Sequence, residues 1–314
     1  MRTVAIRRAL VTGGGGFIGS SIVRALLEQD GAEVAVLDNF SSGYRANLEG
    51  VPVTLHEADV RSPEAVADAM SGCDTVFHLA ASVGNARSIA YPLDDAAINV
   101  LGTLHVLEAA RRHGVAKVVF SSSAGIFGEL KTLPIREDHP VEPDSPYGAT
   151  KLAGEKLCLS YSKLYPVRCA CLRYFNVYGE RQRYDAYGNV IPIFMHRLLA
   201  GEPLVVFGDG EQTRDFVNVA DVAEANVRAA RARDVAGAFN VASGSRVTIN
   251  ELVRLMSDAS GIRPGVEHAG PRPGDVRHSL ADISAARAAF GFAPRVGLPE
   301  GLRDYFAWAR ANGV

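Results

Sequence analysis

Tyr147 and Lys151 stand four positions apart in the run Asp144-Ser145-Pro146-Tyr147-Gly148-Ala149-Thr150-Lys151. On a helix that spacing puts both side chains on one face, one turn apart, with the ammonium in reach of the phenol. A phenol titrates at about 10 and is a weak base near neutrality. A fixed cation beside it favours the phenolate, so the pair reads as a proton acceptor and the lysine that tunes it. Ser145 is placed to cap the helix, and Pro146 fits its first position, where no amide hydrogen is needed. Tyr-x-x-x-Lys also arises by chance on amphipathic helices, so the reading needs support from elsewhere in the chain.

That support lies at the N-terminus. Ala9-Leu10-Val11 is an apolar run, followed by Thr12-Gly13-Gly14-Gly15-Gly16-Phe17-Ile18-Gly19 and then by Ser21 to Leu27. The order is strand, glycine turn, helix. Gly14, Gly16 and Gly19 satisfy G-x-G-x-x-G, and Gly13, Gly16 and Gly19 the wider G-x-x-G-x-x-G. Such glycines let the backbone approach a pyrophosphate, whose charge the helix N-terminus then meets. A second strand, Glu33 to Asp38, ends about 20 positions past the glycines, where an acid holds an adenosine ribose. Asp38 followed by Asn39 predicts NAD rather than NADP, because a 2′-phosphate is repelled there; Arg45 is the nearest arginine.

Around these residues the chain alternates. Strands are expected near 8–12, 33–38, 52–56, 74–79, 116–121 and 167–174, and helices near 17–30, 63–71, 96–113 and 147–164. The pattern predicts an α/β fold, a doubly wound parallel sheet of Rossmann type. Residues 1–175 are expected to form this dinucleotide-binding domain, with a return near 217–245 through Phe239-Asn240-Val241. Segments 176–216 and 246–314 are expected to build a smaller C-terminal α/β cap. At 314 residues a two-part molecule is the natural expectation.

A net charge of −2 marks no nucleic-acid binder, and no apolar run is long enough for a bilayer. The first residues run straight into the glycine loop without a signal peptide, so a cytoplasmic protein is expected. Cys73, Cys158, Cys169 and Cys171 lack C-x-x-C spacing, and the histidines form no H-x-x-x-H pair. Cys169 and Cys171 alternate on a strand as packed apolar groups. No metal site is predicted.

The chain resembles the extended short-chain dehydrogenase/reductases, and within them the UDP-glucose 4-epimerase group, over nearly its whole length. The resemblance rests on the glycine run, Leu37-Asp38-Asn39-Phe40-Ser41-Ser42-Gly43, His78-Leu79-Ala80-Ala81, Phe120 through Gly125, Tyr147 through Lys151, and Arg173 through Gly179. Gly208-Asp209-Gly210, Arg214-Asp215-Phe216 and Arg272 through Ser279 follow in the same order. It implies a catalytic triad of Ser123, Tyr147 and Lys151, with Ser123 on the sugar 4-oxygen and Lys151 both lowering the Tyr147 pKa and holding the nicotinamide ribose. It implies an NAD site of Gly13, Gly16, Phe17, Ile18 and Gly19, then Asp38, Asn39, Phe40, Ser41, Ser42 and Gly43. Asp59, Val60, Leu79, Ala80, Ala81, Asn99, Ser121, Tyr174 and Phe175 complete it. For the nucleotide sugar it implies Ser82 and Val83, with Asn176, Asn189 and Val190 on the diphosphate and Val205 and Phe207 against uracil. Gln212 is implied there too, with Arg214 and Arg272 as a diphosphate clamp, which suits the forked guanidinium. Asp275 is implied at the uridine ribose.

The implied reaction is 4-epimerisation of a UDP-hexose through transient oxidation at C4. Nucleotide-sugar 4,6-dehydratases carry an Asp-Glu pair directly after the catalytic hydroxyl residue, and decarboxylases a glutamate; Ala124 and Gly125 stand there instead. A non-catalytic dinucleotide-binding protein on the same fold is the remaining alternative, disfavoured by the intact triad. Phe127 departs from the usual Val-Tyr-Gly and removes a hydroxyl. Ser279, four past Asp275, borders the C2 substituent in this group, and its small size predicts that UDP-N-acetylglucosamine is accepted as well as UDP-glucose; UDP-glucuronate also stays open. Relatives pair through helices equivalent to 96–113 and 147–164, so a homodimer is expected.

Overall fold

The computed structural model describes residues 3–184, 189–271 and 276–313. Its strands and helices run, in chain order, β1 (Arg8–Thr12), α1 (Phe17–Asp30), β2 (Glu33–Asp38), β3 (Thr54–Glu57), α2 (Pro63–Ala69), β4 (Thr75–His78), α3 (Asn85–Ala90) and α4 (Pro92–Ala96). A π-helical turn (Ala97–Leu101) joins α4 to α5 (Gly102–Arg112), followed by β5 (Lys117–Ser123), α6 (Pro146–Leu164) and β6 (Arg168–Tyr174). Then come β7 (Asn176–Tyr178), α7 (Val190–Ala200), β8 (Leu204–Phe207), β9 (Thr213–Arg214), β10 (Phe216–Asn218), α8 (Val219–Arg231) and β11 (Gly237–Val241). The chain closes with β12 (Val247–Thr248), α9 (Ile249–Ser260), β13 (Val266–Ala269), α10 (Ser284–Phe290) and α11 (Leu298–Ala311).

Seven strands form one parallel sheet in the order β11-β6-β5-β4-β1-β2-β3. Starting from β3, the order steps back to β1 and then jumps to β4, the reversal at which doubly wound sheets bind nucleotides. The central strands are nearly continuous apolar runs because helices cover both faces. On one face Ile22, Val23 and Leu26 of α1 meet Val222, Ala225 and Ala229 of α8; on the other, Val66 of α2, Val106 of α5 and Cys158 of α6 pack together. All four cysteines are buried free thiols. A third core gathers Phe194 of α7, Leu252 of α9 and Phe306 of α11 beside the short parallel pair β8–β13.

The expected helix over 96–113 is broken. Pro92 opens α4, and the chain then takes one wide turn at 97–101 before α5 begins. A π turn inserts an extra residue into the ladder, which turns the residues within it by a step that ordinary helical periodicity does not anticipate. Asn99 lies in that turn and is 2% exposed.

Candidate active site

The glycine loop is packed main chain against main chain. Gly13 has φ +72°, and a Cβ there would stand 2.7 Å from the Ala80 nitrogen. A Cβ on Gly19 would stand 2.1 Å from the Gly13 carbonyl oxygen, and one on Gly43 2.9 Å from the Gly15 carbonyl carbon. The loop before α1, the segment after β2 and Leu79–Ala80 at the end of β4 therefore form one cleft, open only because side chains are missing from it. Asp38 sits at its floor, its two carboxylate oxygens accepting from the Gly15 and Phe40 amides at 2.8 Å. The first turn of α1 carries no acid to repel a phosphate. Arg45 is engaged by Glu57 and lies 4.5 Å over the Phe40 ring. Phe17, Ile18 and Ala81 are part-buried along the cleft, while Ser41 and Ser42 are exposed at its edge. Asn39 donates to Asp59 at 2.7 Å; Asp59 also takes a fork from Arg61, which holds its carboxyl below the ordinary value. Val60 is packed in the core against Gly102.

The catalytic candidates come from neighbouring elements. β5 delivers Ser123 at its last position, paired with Tyr174 of β6, and the Gly125 amide donates to its hydroxyl at 3.1 Å. Ser145 caps α6 by accepting from the Gly148 amide at 3.2 Å, and Pro146 occupies the first turn. The first turn of α6 lies on the short helical turn Ala124–Ile126 so closely that a Cβ on Gly148 would be 2.4 Å from the Gly125 carbonyl oxygen. Ser123 and Tyr147 are thereby brought together across Gly125. A Cβ on Gly125 would sit 3.4 Å from Ser123 Oγ and 3.7 Å from Tyr147 Cε1.

Burial holds the Tyr147 phenol above its ordinary value, opposed by its hydrogen bond with Ser123 and reinforced by the Asp95 charge. The expected lowering by Lys151 is not what this geometry gives. The Lys151 ammonium lies 4.8 Å over the Phe120 ring, on the sheet side, and burial brings the amine itself down to about 8.

Beneath the pair runs a buried polar chain. His78 bridges Thr12 Oγ1 at 2.8 Å and Thr103 Oγ1 at 3.0 Å, and burial with the nearby Lys151 charge brings it to about 3. Thr103 donates to the Asn99 carbonyl; the Asn99 side chain accepts from Ser82 N at 2.8 Å and donates to Thr150 Oγ1 at 3.0 Å. Thr150 donates to Asp95 at 2.5 Å. Asp95, Thr150, Thr103 and the linking function of His78 were not anticipated from sequence. Asp95 lies at the end of α4, and the π turn that follows it and carries Asn99 leaves no mark in the apolar pattern.

Glu155 and Arg173 were also missed as partners. They form a buried fork between α6 and β6, with Arg173 5.1 Å from the Phe127 ring. Phenylalanine at 127 thus has an apolar, cation-facing seat. Of the other implied contacts, Ser121 and Tyr174 are bonded to each other side chain to side chain, Tyr174 donates to Asn226 at 2.9 Å, and Phe175 packs on Phe127. Tyr174 and Phe175 are therefore wall and core rather than free contact groups.

On the cap side, Asn176 donates to the Asp215 carbonyl at 3.2 Å. Gln212 donates to the Phe207 carbonyl at 2.8 Å, while its buried Oε1 has no partner. Ser279 is 8% exposed, and its amide donates to Thr213 O at 3.1 Å. Arg214 donates to the Thr213 carbonyl and lines a cavity of about 210 Å³ with Phe216, Ser243 and Arg295. Val205 and Phe207 alternate on β8 with part-buried side chains, Val190 opens α7, and Asn189 and Val83 are exposed. Arg272 and Asp275 lie outside the described residues.

The family model described as the NAD dependent epimerase/dehydratase family matches residues 9–242. The chain belongs to that family. It is 41% identical over 302 residues to the UDP-glucose 4-epimerase of Mycolicibacterium smegmatis, covering 94% of this chain and 96% of the relative. Among solved structures, the UDP-N-acetylglucosamine 4-epimerase from Methanobrevibacter ruminantium M1, in complex with UDP-N-acetylmuramic acid, superimposes with a TM-score of 0.93 at 37% identity, over 98% of this chain and 100% of that one. The Thermus thermophilus UDP-glucose 4-epimerase, in complex with NAD, gives 0.87 at 40% identity, over 96% and 99%. The cleft between the glycine loop and Asp38 fits the cofactor for which the family is named.

Proposed function

We propose that this protein is an NAD-dependent 4-epimerase of UDP-hexoses, acting on UDP-glucose and UDP-galactose and on their 2-N-acetyl counterparts. Gly13, Gly16 and Gly19 would face the pyrophosphate and Asp38 the adenosine ribose, after exchanging its present amide donors for ribose hydroxyls. Bound NAD supplies the hydride acceptor and donor for C4. Tyr147 takes the proton of the 4-hydroxyl, and Ser123 hydrogen-bonds the same oxygen from the end of β5. Lys151 is assigned the nicotinamide ribose. The 4-keto sugar turns about its diphosphate link, and Tyr147 returns its proton to the inverted oxygen. No proton is gained or lost over the cycle, so the part-buried phenol needs no path to solvent.

The observation that carries this reading over a dehydratase is the wedge at Gly125. Any side chain there would stand between Ser123 and Tyr147, where an acid could act on the sugar beyond C4; glycine offers no proton and leaves the space to the sugar. The intact triad also supports an enzyme over a dinucleotide-binding scaffold. Ser279, small and placed beside Thr213, supports room for an N-acetyl group.

The homodimer belongs to this reading as well. Leu93 is 85% exposed and Leu101 53%, and they accompany exposed Tyr91, Leu164 and Tyr165 on α4, the π turn and the end of α6. These apolar groups suit pairing of two copies through those helices. No helix among the described residues is long and apolar enough to cross a membrane.

The test is NMR of separate incubations with UDP-glucose, UDP-N-acetylglucosamine and UDP-glucuronate, without added NAD. Inversion at C4 of the first two supports the reading. Water loss at C6, or no conversion after NAD is supplied, sinks it.

A further inference from the structure

The polar chain beneath the catalytic helix contains a charged group with no place in the reaction as written. Asp95 is fully buried. Its Oδ2 accepts from Thr150 at 2.5 Å and from Asn99 at 3.2 Å, whereas its Oδ1, equally buried, has no hydrogen-bond partner. A carboxylate satisfied on one side only is costly to bury unless a cation lies close by. The residue next to Thr150 is such a cation. Lys151 is 4% exposed, rests on the Phe120 ring, and among the described residues has no carboxylate within salt-bridge distance. The two buried charges thus sit on packed elements, α4 and α6, tied together by the hydrogen bond from Thr150, the residue before Lys151, to Asp95.

We propose that Asp95 is a positioning residue for the reaction: its carboxylate is the counter-charge that keeps Lys151 an ammonium, one turn of α6 from Tyr147, and Thr150 and Asn99 hold it in place. The inference rests on the roles given above to Tyr147 and Lys151. Burial drives the Lys151 amine down, against an upward pull from Cys158 and then Asp95; the Asp95 charge also pushes the Tyr147 phenol up. The other groups facing the pair carry no charge to replace it. His78 on β4 is held neutral by burial, with its value at about 3, and burial keeps the thiols of Cys158 on α6 and Cys171 on β6 protonated. Glu155, further along α6, is matched by Arg173. Asp95 and Asn99 stand four apart and so share one helical face, from which both reach Thr150.

Asp95→Asn keeps the shape and removes the charge. Its expected effect is a shift of both limbs of the kcat–pH profile to lower pH by roughly one unit, since both the phenol and the amine lose an anion that favours their protonated forms. KM for the sugar stays near the parent value. Thr150→Val removes the hydroxyl that ties the carboxylate to α6; it moves the profile the same way by less, and Thr150→Ser leaves it in place. The second readout needs no turnover. NMR of ring-labelled tyrosine, with the Tyr147 signal assigned through Tyr147→Phe, follows the phenol directly and moves to lower pH in Asp95→Asn. If this signal moves while no UDP-sugar is converted, the assigned activity fails and the electrostatic role stands. Uniform loss of kcat with both limbs and the tyrosine signal unmoved would overturn the role of Asp95.

Discussion

The fork between Glu155 and Arg173 fixes the catalytic helix to the sheet, and its removal has a calculable cost. Both side chains are almost wholly buried, at 0% and 4% exposure. Arg173 gives Glu155 two hydrogen bonds, at 2.7 and 3.0 Å; Ser122 adds a third at 2.8 Å, and the remaining guanidinium edge donates to the Glu137 carbonyl at 2.9 Å. Glu155→Ala leaves a desolvated cation with one carbonyl and an aromatic face, and orphans the Ser122 hydroxyl. Breaking one side of such a pair costs about 3–5 kcal/mol. With a urea slope near 3 kcal/mol per M, the unfolding midpoint falls by roughly 1–1.7 M. Arg173→Met, which strands the carboxylate, falls by a similar amount. The double variant Glu155→Leu with Arg173→Met has no buried charge left, and its stability returns to within about 1.5 kcal/mol of the parent. Urea titrations of the four proteins, followed by circular dichroism, give the cycle. A single-variant loss below about 1 kcal/mol, or a double variant as unstable as the two losses summed, would refute the assignment of this pair as a mutually dependent buried fork.

At the glycine loop, Gly13→Ala forces a Cβ to within 2.7 Å of the Ala80 nitrogen at φ +72°; about 1–3 kcal/mol of strain should appear as lost NAD in the purified protein, and undiminished NAD content counts against the cradle. His78 has a folded value of about 3 against 6.5 when exposed. The unfolded chain therefore takes up a proton that the folded one refuses, and stability falls as pH drops from 6.5 toward 3. His78→Asn should show a shallower decline of urea midpoint across that window; an unchanged slope means that the imidazole is protonated in the folded protein. Ser279→Tyr is expected to abolish turnover of N-acetylated UDP-sugars while sparing UDP-glucose, measured as separate kcat/KM values; equal losses on both sugars remove Ser279 as the gate.

The parallel sheet was readable because its strands are buried on both faces and so appear as apolar runs between glycines and helices. Strand edges moved by one or two positions, as Thr54–Glu57 does against 52–56, because hydrogen bonding and not hydropathy ends a strand. The glycine loop, Asp38 and the Tyr147–Lys151 pair could be proposed because each rests on local spacing, and Ser123 because its run resembles that of the family. The coupling between them was not. Lys151 was expected to face the phenol from one turn away, but the turn of α6 directs its ammonium over Phe120, a tertiary choice without a sequence signature. Asp95 was hidden for the same reason, since the π turn shifts the helical phase between it and α5. In the cap, two-residue strands such as β9 and β12 are too short for any periodicity to announce them.

The contact between Gly148 and the Gly125 carbonyl has a consequence for how such a protein can diversify. Because two stretches of main chain touch there, no trimming or lengthening of a side chain can adjust the separation of the Ser123 hydroxyl and the Tyr147 phenol. A different spacing would require relocating a whole helix, with its capping serine and its buried fork. On the proposed reading, the spacing of the reacting groups therefore follows the backbone and not the size of any one side chain. On the same reading, variation in which sugar is accepted falls to side chains away from this contact, such as exposed Val83 and small, buried Ser279.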